Sequence, residues 1–239
     1  MSISASTRRY QFGGCEMELE TSEDVFQPTL TSRVLARAVT IPREAQVLDL
    51  GCGVGVLAIM AALKGAAHVD AVDVMPQACA LTAANARRNG VSDRVDASHG
   101  DLFEMVGSRR YDVIISDVSG VVDEVARFSP WYPESIPTGG HDGADHIVRL
   151  IHGAADHLRP GGTLYFATGS ISNVQRTLDA ARSTFGNRVA LVEQVEVPFC
   201  QEFNDNMAAM TRLRDEGLVD FTVRRSRHLW TLQIYRAWL

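Results

Sequence analysis

Apolar positions along this chain come in short runs, and between the runs they recur at helical spacing. Val47-Leu48-Asp49-Leu50 is one such run, interrupted by a single acid. Val69-Asp70-Ala71-Val72-Asp73, Arg94-Val95-Asp96-Ala97-Ser98 and Tyr111 to Asp117 are three more segments of strand length. From Gly55 to Lys64, Val56, Leu57, Met60 and Leu63 share a helical face, and Gly65 ends the segment. Pro76 suits the first turn of a second helix through Ala78, Leu81 and Ala84, with Asn89-Gly90 as its stop. Regular alternation of strand and helix predicts an α/β fold, a parallel sheet with helices on both faces.

The pattern continues with a helix over His146 to Leu158 and a turn, Leu158-Arg159-Pro160-Gly161-Gly162, into a fifth strand. A helix over Val174 to Phe185 and a sixth strand over Val189 to Val197 follow. The last strand, His228 to Arg236, is expected to be antiparallel, giving seven strands, most of them parallel. Before this series, residues 1–44 read as an appendage: a hairpin around Gly13-Gly14, then a helix carrying Val34, Leu35 and Val39 and capped by Thr31 or Ser32. Residues 45–239 form the main domain. Pro198 to Arg227 is longer than a hairpin needs and holds a helix over Asn204 to Glu216. Such an excursion (199–227) serves either as a lid on the substrate or as a homodimer contact.

Composition narrows the class without naming an activity. Of 239 residues, 46% are apolar, enough for a sizeable core. The net charge of −6 argues against a nucleic-acid partner, and Arg224, Arg225 and Arg227 read as a solvated edge. No run approaches the ~18 apolar residues of a membrane span. The N-terminus lacks a signal-peptide core, so a soluble cytoplasmic protein is expected. Cys15, Cys52, Cys79 and Cys200 are scattered with no C-x-x-C pair, which argues against a metal site or a redox motif.

Candidate chemistry gathers at the ends of the predicted strands. Gly51, Gly53 and Gly55 alternate after the first, where positive φ and close approach of a ligand are both open to glycine. The helix that follows presents unpaired N–H groups to a nucleotide-like or carboxylate-bearing ligand. Asp73 ends the second strand, placed either to take the two hydroxyls of a ribose or to cap a helix. Asp49, ahead of the loop, is expected to order it through backbone bonds. Met75 packs either on a base or in the core. Asp117 ends the fourth strand, where a carboxylate could hold a cationic nitrogen, accept its proton, or bind only backbone. The loop from Phe128 to Gly143 is rich in proline, glycine and aromatics, with Trp131 and Tyr132 set to line a substrate pocket.

Glycine loop, ribose acid, Gly100-Asp101 and a polar fourth strand end together resemble the class I S-adenosylmethionine (SAM) dependent methyltransferases over roughly residues 45–170, a Rossmann-like fold. The resemblance implies SAM as cofactor, held by Asp49, Gly51, Cys52, Gly53, Gly55, Asp73, Val74, Met75, Asp101, Leu102 and Asp117, with Asp101 on the adenine amine. Phe26, Pro28 and Thr31 resemble the turn beside the methionine end of the cofactor in HemK-like glutamine methyltransferases, which implies a contact from Thr31. Gly139-Gly140-His141-Asp142-Gly143 matches their G-G-x-D-G element, with Asp142 either capping the next helix or facing substrate. The departure is Asp117-Val118-Ser119-Gly120, where those enzymes carry Asn/Asp-Pro-Pro-Tyr to clamp a planar amide. Without the prolines and the aromatic, the expected acceptor is a polar small molecule of specialised metabolism, an amine or guanidine, met by Asp117 and Ser119. Alternatives are protein (glutamine-type) methylation, a nicotinamide dehydrogenase, and a SAM-binding protein without catalysis.

Overall fold

The computed structural model describes residues 6–118, 120–129, 132 and 136–239. The chain divides into two compact units, one of residues 1–117, 153–166 and 238–239, the other of residues 118–152 and 167–237.

The first unit opens with β1 (Ser6–Phe12) and β2 (Cys15–Thr21), an antiparallel hairpin turned by Gly13 and Gly14 at φ 55° and 86°. Helix α1 (Leu30–Ala38) follows, and Val34, Leu35 and Val39 are buried as the pattern requires. Its cap is Thr29, not Thr31 or Ser32: Thr29 Oγ1 accepts the Ser32 N–H at 3.0 Å. Ser32 is the third helical residue, and its hydroxyl accepts the Thr29 N–H at 3.4 Å to complete a capping box.

The sheet of this unit runs β5 (Val95–His99), β4 (His68–Asp73), β3 (Gln46–Leu50), β6 (Tyr111–Ser116), β7 (Leu158–Gly169), every pair parallel. The chain steps outward from β3 to β5, then returns to β6 on the other side of β3. Strand order therefore reverses between β3 and β6, and a crevice opens at their carboxyl ends. Leu48, Leu50, Ile114 and Ile115 are fully buried, each worth roughly 2 kcal/mol of apolar burial.

Helix α2 (Val56–Leu63) is buried all round from Val56 to Ala62, not along one face, and Leu63 is its exposed residue. It touches β3 and β4, α1 and β2, so no side of it is left to water. Helix α3 (Pro76–Arg88) buries Ala78, Cys79, Thr82, Asn85 and Ala86, a stripe more polar than the Ala78–Leu81–Ala84 face read from sequence. Asn85 and Asn89 account for part of that. Each side-chain amide both donates to and accepts from the main chain of β2, at Glu20 and Glu18, over 2.7–2.9 Å. The open edge of β2 is thereby satisfied by a helix.

In the second unit, β10 (Arg227–Trp238) lies between the end of β7 and β8 (Val189–Pro198), antiparallel to β8 as expected. A short β9 (Thr222–Arg224), which the pattern does not show, pairs with β10. Helix α4 (Asp123–Arg127) is also absent from the pattern, while α5 (Asp145–His157) and α6 (Val174–Phe185) match it within a residue. The helix expected over Asn204 to Glu216 is two, α7 (Gln201–Asp205) and α8 (Met207–Asp215), broken at Asn206. Their base is an aromatic cluster of Phe128, Phe199, Phe203 and Phe221, with the Arg214 guanidinium 4.4 Å from the Phe221 ring centre. Arg212 of α8 pairs with Glu124 of α4.

Candidate cofactor and methyl-transfer site

All three loop glycines take the left-handed conformation, Gly51 at φ 79°, Gly53 at 54° and Gly55 at 90°. The loop is pinned from both sides. Gly51 and Cys52 N–H groups donate to the Val72 carbonyl at 2.8 and 3.2 Å. From α3, Thr82 donates to the Gly53 carbonyl at 3.0 Å and Asn85 to the Val54 carbonyl at 2.9 Å. A Cβ on Gly55 would stand 3.1 Å from the Thr82 side chain, so space and φ both demand glycine there. Gly55 also precedes α2 with no side-chain cap, which leaves the first N–H groups of that helix for an anionic ligand.

The two acids beside the loop differ. Asp73 is held: one oxygen accepts the Gly53 N–H and the other the Met75 N–H, both at 2.9 Å. Burial lifts its pKa, and these two amides oppose the lift. Met75, not Asp73, occupies the cap position of α3. Asp49 is fully buried, and neither carboxylate oxygen has a hydrogen-bond partner. The expected backbone bonds from Asp49 to the loop are therefore not made; the Gly51, Cys52 and Gly53 amides go to Val72 and Asp73 instead. Burial, with the charges of Asp117 and Asp73 behind it, pushes Asp49 from 3.8 up to about 8, while the Ala58 amide pulls the other way without forming a well-aligned bond. An orphaned buried carboxylate beside an uncapped helix start suits a ligand carrying both an ammonium and a carboxylate.

Beyond Asp73 the edge of β4 and β5 supplies an apolar shelf. Val74 is 46% exposed and Met105 is 48% exposed. Gly100 donates to the Asp73 carbonyl at 3.0 Å, and Met105 packs where a Gly100 side chain would lie. Asp101 follows, its N–H on Glu104 at 3.1 Å, and Leu102 sits at φ 50°, a conformation that costs a non-glycine residue on the order of 1 kcal/mol. Met105 escaped sequence analysis because it lies in irregular backbone with no periodic signal.

Asp117, at the end of β6, receives the Ser32 hydroxyl at 2.7 Å. Burial raises its pKa to about 6, and the Ser32 bond opposes the rise. Thr31, expected at the cofactor, stands in the first turn of α1 beside Ser32. Sequence reasoning named Ser32 only as a possible helix cap, not as the partner of Asp117.

Among the remaining expected substrate residues, Ser119 and Trp131 lie outside the described residues. Tyr132 is buried, and its hydroxyl donates to the Pro137 carbonyl at 2.7 Å. Asp142 accepts the Arg176 guanidinium at 2.6 Å and the Ala144 N–H at 3.1 Å. Its side chain braces α6 against the loop before α5. Among the described residues no cluster of three or more His, Cys, Asp or Glu could hold a metal ion, and no helix is long and apolar enough to cross a membrane.

Comparison with known proteins places these features. The family model described as ribosomal protein L11 methyltransferase matches residues 30–133. The release factor glutamine methyltransferase of Cereibacter sphaeroides is 36% identical over 155 residues, 62% of this chain and 55% of that protein. The ribosomal protein uL3 glutamine methyltransferase of Bradyrhizobium diazoefficiens is 40% identical over 129 residues, 52% of this chain and 40% of that protein. The chain thus spans about half the length of the curated relatives it matches. A Thermus thermophilus 16S rRNA N2 G1207 methyltransferase, solved with SAM and guanosine, shares the fold at TM-score 0.64 and 17% identity, covering 100% of this chain and 51% of that one. The relatives' names overturn the expected small-molecule acceptor and partner, because both proteins are named for protein substrates. The lost Pro-Pro-Tyr misled that expectation: it bears on how a nitrogen is clamped, not on the size of the molecule carrying it.

Proposed function

We propose that this chain, a class I SAM-dependent methyltransferase, methylates a side-chain nitrogen of a protein, the glutamine amide first among candidates. Two of the relatives support that acceptor by name. The observation that carries the chemistry is the Ser32–Asp117 pair, a carboxylate at the strand end where the acceptor is expected, steered by a hydroxyl from 85 positions away. In this reading the start of α2 and Asp49 would hold the cofactor's carboxylate and ammonium, Asp73 its ribose, and Val74, Met75, Asp101 and Leu102 its adenine. SAM supplies a methyl group on a sulfonium, open to in-line displacement by a nitrogen lone pair. Asp117 accepts an N–H of the acceptor, aims that lone pair, and takes the proton released as the N–C bond forms. Positioning carries much of the acceleration, so a strong base is not needed.

A second reading, a protein amine as acceptor, is favoured by Val118-Ser119-Gly120, which lacks the groups that clamp a planar amide. We also take the chain to act in the cytoplasm, where its four free cysteines stay reduced. The test is incubation with methyl-labelled SAM and three acceptor pools: ribosomal proteins, release factors and small amines. Label on a protein glutamine, located by peptide mass spectrometry, is the expected result, and label on a lysine or α-amine selects the second reading. Label confined to the small amines would overturn both.

A further inference from the structure

Helix α1 starts on a ring of two hydroxyls and two amides, and one of those hydroxyls also reaches the end of β6. Thr29 Oγ1 accepts the Ser32 N–H at 3.0 Å, and Ser32 Oγ accepts the Thr29 N–H at 3.4 Å. The two hydroxyl oxygens stand 3.1 Å apart. Ser32 is buried, and its Oγ lies 2.7 Å from Asp117 Oδ2. A capping box uses its side-chain oxygens only as acceptors. The hydroxyl hydrogens are left over from it, and their direction decides what Asp117 receives.

A hydroxyl carries one hydrogen and an ionised carboxylate none. The Ser32 hydrogen is therefore spent on Asp117, and the hydrogen between the two hydroxyls is that of Thr29. The opposite setting, Ser32 donating to Thr29 Oγ1, would leave Asp117 Oδ2 facing an oxygen lone pair at 2.7 Å. Among the described residues the titratable group that faces Asp117 is Asp49 of β3. Neither Asp49 oxygen makes a hydrogen bond, so Asp49 does not replace the Ser32 hydroxyl.

We propose that Thr29 is a positioning residue for methyl transfer: its hydroxyl donates to Ser32, holds the Ser32 hydrogen on Asp117 Oδ2, and so keeps Oδ1 for the acceptor nitrogen. This rests on the reading of Asp117 as the group that takes the acceptor's proton. Hydrogen bonds in a chain polarise one another, so the Thr29 hydroxyl strengthens the Ser32–Asp117 bond and favours the ionised acid. The side chains that start α1 thereby also set the charge state at the end of β6.

The test is a double-mutant cycle on the full chain. Carbon-13 NMR on carboxyl-labelled aspartate follows the Asp117 titration, its signal identified by its loss in Asp117→Asn. Thr29→Val removes the hydroxyl at nearly constant shape. The Asp117 titration is expected to move up by about 0.3 of a pH unit, and the acid limb of kcat/KM to move with it. Thr29→Ser restores both. In the Ser32→Ala background the main-chain N–H at position 32 still meets Thr29, but no hydroxyl links Thr29 to Asp117. There Thr29→Val still lowers the melting temperature, as loss of a cap does, and leaves the Asp117 titration unmoved. An equal shift in both backgrounds, or none in the parent, overturns the proposal, because Thr29 is then a cap and nothing more. Thr29→Gly costs a cap little and repeats the measurement if Thr29→Val does not fold. The titration needs no acceptor, so the two readings fail separately. A kcat/KM profile without an acid limb sinks Asp117 as proton acceptor, and the positioning role with it. An acid limb that Thr29→Val leaves in place sinks the positioning role alone.

Discussion

The ends of β3 and β4 and the end of β6 each carry acids, but they are assembled differently. At β3 and β4 the partners are main-chain amides and come from nearby sequence: Asp73 is held by Gly53 and Met75, 20 and 2 positions away. At β6 the partner of Asp117 is a side chain on α1, 85 positions away. Main-chain amides survive any substitution that keeps the backbone path. A side-chain donor is lost with one substitution. The β3–β4 end is therefore robust to sequence change except at its glycines, and the β6 end, proposed above as the acceptor end, is adjustable.

The largest effect should come from Asp117→Ala. Turnover is expected to fall about 100-fold or more, with SAM affinity within about threefold of the parent. Steady-state kinetics beside calorimetry separates the two, and full turnover would remove the acid from the chemistry. Burial lifts Asp117 to about 6, so its carboxylate is present above that pH and lost as pH falls through it. kcat/KM should accordingly rise through about pH 6 in the parent and lose that limb in Asp117→Asn.

Gly55→Ala tests the main-chain side of the comparison. At φ 90° and 3.1 Å from Thr82 the added methyl is both strained and crowded. Destabilisation of about 3 kcal/mol is expected, together with loss of SAM binding, both read in thermal melts with and without cofactor. An unchanged melt would mean the loop is more pliant than its hydrogen bonds imply.

Asp49→Asn should move two quantities in opposite directions. The folded pKa of Asp49 is raised from 3.8 to about 8, so the stability linked to its proton is fully present below the ordinary value and is lost as pH rises toward 8. Asparagine does not ionise. Without cofactor, the variant should melt about 5 °C higher at pH 8, with little difference at pH 4. SAM affinity should fall about tenfold or more, since the ammonium loses its counter-charge. Equal affinity would take Asp49 out of the cofactor site.

Ser32→Ala is the smallest and sharpest probe. It removes a bond that lowers the Asp117 pKa, so the acid limb of the rate profile should move to higher pH. The expected cost is about 1 kcal/mol, near fivefold in rate around pH 6 and less at pH 8. Restoration by Ser32→Thr would tie the effect to the hydroxyl.

Legibility followed the same division. The glycine loop and the places of Asp73 and Asp101 at or just past strand ends were readable because a βα unit joins a strand end to the next helix through a few residues, so local order in sequence is local order in space. Most strands were readable for a related reason: a parallel strand covered on both sides is a nearly continuous apolar run, as in Val47–Leu50, broken by Asp49 alone, and Val113–Ile115. Helix α2 was placed correctly but its burial was underestimated, since periodicity reports one face and cannot count the neighbours on the others. Short elements such as α4 and β9 carry too few residues to show a period.

By itself, then, the sequence determined the order of the longer strands and helices, the loop that must be glycine, and the acids at the ends of β4 and β6. Those follow from backbone sterics and from the period of burial, both properties of neighbouring residues. Only the tertiary structure decided which side chain reaches Asp117, that neither Asp49 oxygen has a hydrogen-bond partner, and that Asn85 and Asn89 meet β2. Each depends on elements far apart in sequence being packed together, and packing distance is not encoded in any local pattern. Ser32 and Thr31 differ by one position on a helix, about 100° of rotation. That rotation is what puts one hydroxyl on the carboxylate.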